Sequence, residues 1–212
     1  MKHITFYLDF ISPYAYLAFE ELPNALMGLS YSVTYKPILF AALLKHNGQL
    51  GPAEIPAKRD WTYRQVQWLA HSKGIAMDMP AAHPFNPLGL LRLAVATHAQ
   101  GLPNRYVCEK LFSHAWIGGA DAADAARLEA ITQELAPARS PTDATVKGQL
   151  AAHTEAAIAA GVFGVPAFEV DGKVFWGVDG LPMLRAYLEG STWFDGPQWN
   201  SVTSIPVGTA RQ

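Results

Sequence analysis

A β-rich run, Ile4-Thr5-Phe6-Tyr7-Leu8, breaks off at Asp9-Phe10-Ile11, and Ser12-Pro13 then open a stretch with helical spacing. This transition constrains the fold more than any other feature of the chain. Serine is a preferred helix N-cap, and a proline in the first turn fixes a helical φ without losing a needed hydrogen bond. A strand therefore runs almost directly into a helix over 13–27, whose first turn offers a hydroxyl and several unpaired amides to one spot. Such a spot favours an anion. Tyr31-Ser32-Val33-Thr34-Tyr35-Lys36 alternates as a second strand, ended by Pro37. Two strands joined through a helix pair in parallel, with a right-handed crossover.

The middle of the chain reads as helical. Residues 38–45 form a short apolar helix and 47–56 a loop punctuated by glycine and proline. A helix over 58–73 carries Trp61, Gln65, Trp68 and Leu69 at helical spacing and stops at Gly74. Further helices are predicted over 87–100, capped by Asn86 and ended by Gly101, and over 103–115, 122–135 and 142–160. Pro166-Ala167-Phe168-Glu169-Val170, then Asp171-Gly172, then Lys173-Val174-Phe175-Trp176 is a hairpin with a two-residue turn. A loop over 177–180 leads to a last helix over 181–188. The tail from Ser191, with Trp193, Phe194 and Trp199, is expected to pack partly on the body and to fray beyond Ser201. The order predicts an α/β, thioredoxin-like fold. Its β-α-β half (1–37) and its second half (142–190) are separated by a large inserted helical domain (38–141) and followed by a tail (191–212).

Composition narrows the function classes. Half of the 212 residues are hydrophobic, and 16 Lys and Arg against 18 Asp and Glu give a net charge of −2. That balance carries no footprint for nucleic acid or a membrane surface. The single cysteine, Cys108, excludes an internal disulfide and any two-cysteine redox cycle, and beside Val107 and Leu111 it reads as a buried structural thiol. The amino terminus lacks a signal-peptide pattern, and no apolar run approaches the ~20 residues needed to span a bilayer. A cytoplasmic (or organelle-matrix) enzyme is the expectation. The seven histidines show no metal-ligand spacing, so no metal is expected, and no glycine-rich phosphate loop is present.

Three stretches together point to a family. Asp9-Phe10-Ile11-Ser12-Pro13-Tyr14, His83-Pro84-Phe85-Asn86-Pro87, and Gly164-Val165-Pro166 followed by Phe175-Trp176-Gly177-Val178-Asp179 resemble 2-hydroxychromene-2-carboxylate isomerases. These belong with kappa-class glutathione transferases in the Dsb-like thioredoxin superfamily, and the resemblance covers residues 1–190. Ser12 and Ala15 stand where thioredoxin-like proteins carry a Cys-x-x-Cys pair, so the dithiol chemistry is gone.

The resemblance implies glutathione as cofactor and Ser12 as the catalytic residue that holds its thiolate. A free thiol, pKa ~8.5, is only a few per cent ionised at pH 7. A donor at the positive end of a helix can lower that pKa by a unit or two, roughly 1.4 kcal/mol each. From the residues alone, Ser12 can equally be a helix cap and no more. A hydrolase-type serine needs a base, and the Gly-x-Ser-x-Gly elbow is absent. In the family the Val165–Pro166 bond is cis and turns the backbone of Val165 toward the cysteinyl part of glutathione; the alternative is a proline opening an edge strand. Asp179 either stabilises the last helix or, by the resemblance, holds the γ-glutamyl ammonium, with Val178 adding backbone contacts.

Phe85 and Asn86 are expected at the acceptor-substrate pocket, although Asn86 can simply cap a helix. Lys45 and Lys58 are candidate cations for a substrate carboxylate, or merely solvated. Glu54 departs from the family, where an asparagine tends to stand nearby, and would repel an anionic ligand. The implied activity is isomerisation of 2-hydroxychromene-2-carboxylate, or a related small aromatic-derived carboxylate, in a homodimer. Kappa-like conjugation and a non-catalytic thiol-binding module are the alternatives.

Overall fold

The computed structural model describes residues 1–206 and 208. Strand β1 (Lys2–Leu8) leads through α1 (Pro13–Ala25) to β2 (Tyr31–Pro37), which pairs with it in parallel from Lys2↔Tyr31 to Leu8↔Pro37. Strands β3 (Ala167–Val170) and β4 (Lys173–Trp176) complete an α/β sheet of order β2-β1-β3-β4, with β3 antiparallel to β1. Asp171 and Gly172 have φ of 51° and 75°, the positive values that a tight two-residue hairpin turn requires.

Between β2 and β3 come α2 (Phe40–His46), α3 (Pro56–Lys73), α4 (Leu88–Ala96), α5 (Arg105–Trp116), α6 (Ala125–Leu135) and α7 (Ala144–Ala159). Helices α8 (Leu181–Leu188) and α9 (Pro197–Ser201) follow the hairpin. One apolar core runs from the sheet into the helices. Phe6 lies 4.5 Å from Phe168 between ring centres, Phe10 4.9 Å from Phe112, and Leu90 to Ala96 of α4 join the same cluster. The thioredoxin-like α/β architecture expected from the sequence is present.

Several local expectations are corrected. Pro37 does not end β2 but pairs within it, because a proline at the last position of an edge strand forfeits only an outward N–H. Helix α1 stops at Ala25 and α4 at Ala96, each short of its predicted end. Trp61 and Trp68 share a helical face, but it is the solvent face, with the two indoles 62% and 64% exposed. The buried face of α3 is Thr62, Val66 and Ala70, and Val66 and Ala70 pack in one cluster with Leu17 of α1. The tail packs partly on the body, as expected. Phe194 is buried against Phe175, Tyr187 and Trp199, and Val202–Ser204 continue as a 3-10 turn. Residues 207 and 209–212 lie outside the described residues.

Candidate thiol site at the start of helix α1

Ser12 is the N-cap of α1, with extended backbone (φ −87°, ψ 115°) and Pro13 in the first turn. Its Oγ accepts a hydrogen bond from the Ala15 N–H at 3.1 Å. The hydroxyl faces the Val165 carbonyl oxygen at 3.4 Å, beyond the usual O–H···O range, so its proton remains available to a stronger acceptor. The Val165–Pro166 bond is cis. Among the described residues the Val165 N–H has no hydrogen-bond partner. Ser12 itself is only 6% exposed, so its hydroxyl is shielded from bulk water.

Four side chains hold the loop ahead of Ser12. Asp9, fully buried, accepts from the Phe40 N–H (2.9 Å) and from the Ile11 N–H (3.2 Å). Burial pushes its carboxyl up to about 7, against the opposing pull of the Phe40, Ile11 and Phe10 amides. The indole N–H of the fully buried Trp116 donates to the Phe10 carbonyl at 2.9 Å. His83 Nε2 lies 2.9 Å from the Ile11 carbonyl oxygen, and the Tyr63 hydroxyl lies 2.8 Å from His83 Nδ1. Burial lowers the His83 pKa, opposed by its bond to Ile11. The sequence reading gave none of these four a role. Asp9 had a legible signal, a carboxylate closing an apolar strand. Trp116, His83 and Tyr63 reach the loop only through tertiary folding.

The other expected site residues distribute unevenly. Val178 and Asp179 lie in the loop before α8, and Val178 packs beside Leu17 of α1. Asp179 is exposed and makes no ion pair among the described residues, and α8 has no side-chain cap, so its carboxylate is not spent on the helix. Its charge also reaches Tyr14 in the first turn of α1, whose hydroxyl is pushed up chiefly by burial, opposed by Thr62, with Asp179 adding a smaller push upward.

Phe85 is buried in the core against Trp116 and His83. Asn86 is exposed, and its Oδ1 accepts from the Leu88 N–H at 3.1 Å in the turn ahead of α4, whose N-cap position is Pro87 and not Asn86. Lys45 closes α2 and Lys58 opens α3. Both are exposed, and neither is tied to the Ser12 loop by a hydrogen bond or ion pair among the described residues. Glu54 turns its carboxylate onto the Gly51 N–H of its own turn, so it is a local brace. Cys108 is fully buried, and desolvation pushes its thiol far up, as a structural thiol requires.

Comparison with known proteins places the fold in a family. The model of the DSBA-like thioredoxin domain matches residues 3–189. A 2-hydroxychromene-2-carboxylate isomerase of Sphingobium xenophagum is 27% identical over 88% of this chain and 98% of its own length. Glutathione s-transferase kappa 2 of Caenorhabditis elegans is 26% identical over 92% of this chain and 95% of its own. A solved 2-hydroxychromene-2-carboxylate isomerase structure superposes with a TM-score of 0.74 at 24% identity, covering 94% of this chain and 98% of that one. Among the described residues no helix is long and apolar enough to cross a membrane.

Proposed function

Because this chain belongs to the DSBA-like thioredoxin domain family and has lost the dithiol, we propose that it is a glutathione-dependent isomerase. Its substrate is 2-hydroxychromene-2-carboxylate or a related intermediate of aromatic degradation. The observation that carries the reading is the Ser12 hydroxyl at the amino end of α1, 3.4 Å from the carbonyl of a residue that precedes a cis proline. The relatives named as isomerases support the choice of reaction.

The residues present fit glutathione. The free Val165 N–H can pair with the cysteinyl backbone, and the uncommitted Asp179 carboxylate can take the γ-glutamyl ammonium. When bound, glutathione supplies a thiolate that adds to a conjugated carbon, lets the former double bond rotate, and leaves again unchanged. Ser12 donates to the sulfur and, with the Tyr14 N–H, which has no partner among the described residues, keeps it ionised. The buried setting withholds water from that anion and so strengthens the hydrogen bond. Lys45 and Lys58 are our candidates for the substrate carboxylate, with Phe85 and Asn86 near the acceptor pocket. We assign the protein to a reducing compartment such as the cytoplasm, in keeping with its buried free thiol, and to a homodimer that sedimentation can test.

The test is turnover of 2-hydroxychromene-2-carboxylate by the purified protein with and without glutathione. Turnover that needs no thiol, or none at all, overturns the proposal. The kappa-class relative supports a second reading, conjugation to electrophiles. Product mass separates them, since isomerisation leaves the substrate mass unchanged. Calorimetry that shows no glutathione uptake by folded protein would favour a non-catalytic module over both.

A further inference from the structure

We propose that His83 and Tyr63 are positioning residues that clamp the peptide ahead of Ser12 and so tie the thiol site to helix α3, an inference that rests on the function proposed above. The Ile11 backbone is gripped on both sides. Its N–H donates to Asp9 Oδ1 at 3.2 Å, and its carbonyl faces His83 Nε2 at 2.9 Å. A carbonyl oxygen can only accept, so Nε2 must carry the hydrogen. In the neutral ring Nδ1 is then bare and accepts from the Tyr63 hydroxyl at 2.8 Å. The same hydroxyl oxygen lies 2.8 Å from the His83 carbonyl oxygen, so the single Tyr63 proton is shared between two acceptors of one residue, the ring nitrogen and the backbone carbonyl.

Aromatic rings box the imidazole. Its centre lies 5.4 Å from Tyr63, 5.6 Å from Trp116 and 6.0 Å from Phe85. The groups facing His83 are thus Tyr63 from α3, Trp116 from α5, Phe85 from its own loop and the Ile11 carbonyl, none of them charged. Arg59 and Asp60 of α3 act on Tyr63 with opposite sign.

The consequence for Ser12 is geometric. The Ser12 N–H donates to the Asp9 carbonyl at 3.1 Å, so residues 9–12 form one turn, and the tilt of the Ile11 peptide sets where Oγ points. With the carbonyl released, the helical region holds this turn only through the Trp116 bond to the neighbouring Phe10 carbonyl, and no longer at the Ile11 peptide itself. A buried carbonyl without a donor also costs free energy, which the loop would relieve by turning. His83 and Tyr63 touch neither sulfur nor substrate in this scheme. They act through Ile11.

The experiment uses the full chain with His83→Leu, His83→Gln and Tyr63→Phe. Nitrogen NMR of the ligand-free protein should show the Nε2–H form of His83 with Nδ1 hydrogen-bonded, and Tyr63→Phe should abolish the second feature. The thiol of bound glutathione, followed by thiolate absorbance, should titrate about one unit higher in His83→Leu, roughly a tenfold smaller thiolate fraction at neutral pH. His83→Gln keeps an N–H that can reach Ile11 and should titrate near wild type, with Tyr63→Phe in between. A folded His83→Leu with an unchanged midpoint overturns the proposal. If His83→Leu does not fold, a Tyr63→Phe protein whose imidazole signals and thiol midpoint both match wild type overturns it instead. Wild-type protein that takes up no glutathione fails the functional reading, and the imidazole signals then decide the clamp separately.

Discussion

Ser12 Oγ and the Val165 carbonyl oxygen lie 3.4 Å apart although 153 positions separate the two residues in the chain. One belongs to the start of α1 and the other to the turn into β3. A ligand's cysteinyl segment laid against both would meet the Ser12 hydroxyl donor and the unpaired Val165 N–H side by side. Ser12→Ala removes the hydroxyl and the bond from the Ala15 N–H together. The lost cap should cost about 0.5–2 kcal/mol in a denaturant titration. Thiol-dependent turnover should fall well beyond what that instability explains, and bound glutathione should titrate at higher pH. Full activity in a folded variant would leave Ser12 a cap and no more.

Asp9 makes a prediction about pH. Its carboxyl is raised from 3.8 to about 7 by burial, so in that window the folded protein holds a proton that the unfolded chain has released. Stability from this group is therefore fully present below the lower value and is lost as pH rises through the upper one. Asp9→Asn should flatten the slope. Denaturation midpoints measured across this range for both proteins test it, and parallel slopes would mean that the amide donors, not burial, govern Asp9.

Two glycines should respond oppositely to alanine. A Cβ at Gly180 would lie 2.6 Å from the Trp176 carbonyl oxygen, a backbone atom that cannot swing aside. Gly180→Ala should destabilise by about 1–3 kcal/mol, as overpacking does, and weaken glutathione uptake because Val178 and Asp179 sit in the strained loop. Gly148, exposed inside α7, has nothing within 4 Å of a new Cβ. Gly148→Ala should stabilise by about 0.5–1 kcal/mol. Thermal denaturation of both variants reads the difference in sign.

Asp179→Asn should weaken glutathione binding severalfold at low salt and less at high salt, since its carboxylate is exposed and screened. A glutathione analogue lacking the amino group should bind the variant and wild type equally. Calorimetry with both ligands closes the cycle. Equal losses for the two ligands would mean that Asp179 does not face the ammonium.

Sequence alone located what local chemistry decides. Ser12-Pro13 marked the start of α1, Asp171-Gly172 marked the hairpin, and the order of elements predicted the sheet. It did not show which side of a helix is covered. Trp61 and Trp68 have helical spacing and face solvent, while Val66 and Ala70 on the other side of the helix pack with Leu17 of α1. The burial of Phe85 between His83 and Trp116 is likewise a product of tertiary folding. His83 reads as an ordinary loop histidine until folding brings it to Ile11, 72 positions away.

The indole of Trp116, bonded to the Phe10 carbonyl, bears on how such a scaffold could be reduced in size. Deleting the helices between β2 and α7 to leave a minimal thioredoxin core would remove the donors to Phe10 and Ile11 together. Each buried carbonyl left bare would cost on the order of 1–3 kcal/mol. A trimmed protein would therefore need two replacement donors designed onto its new surface before the Ser12 turn could keep its shape.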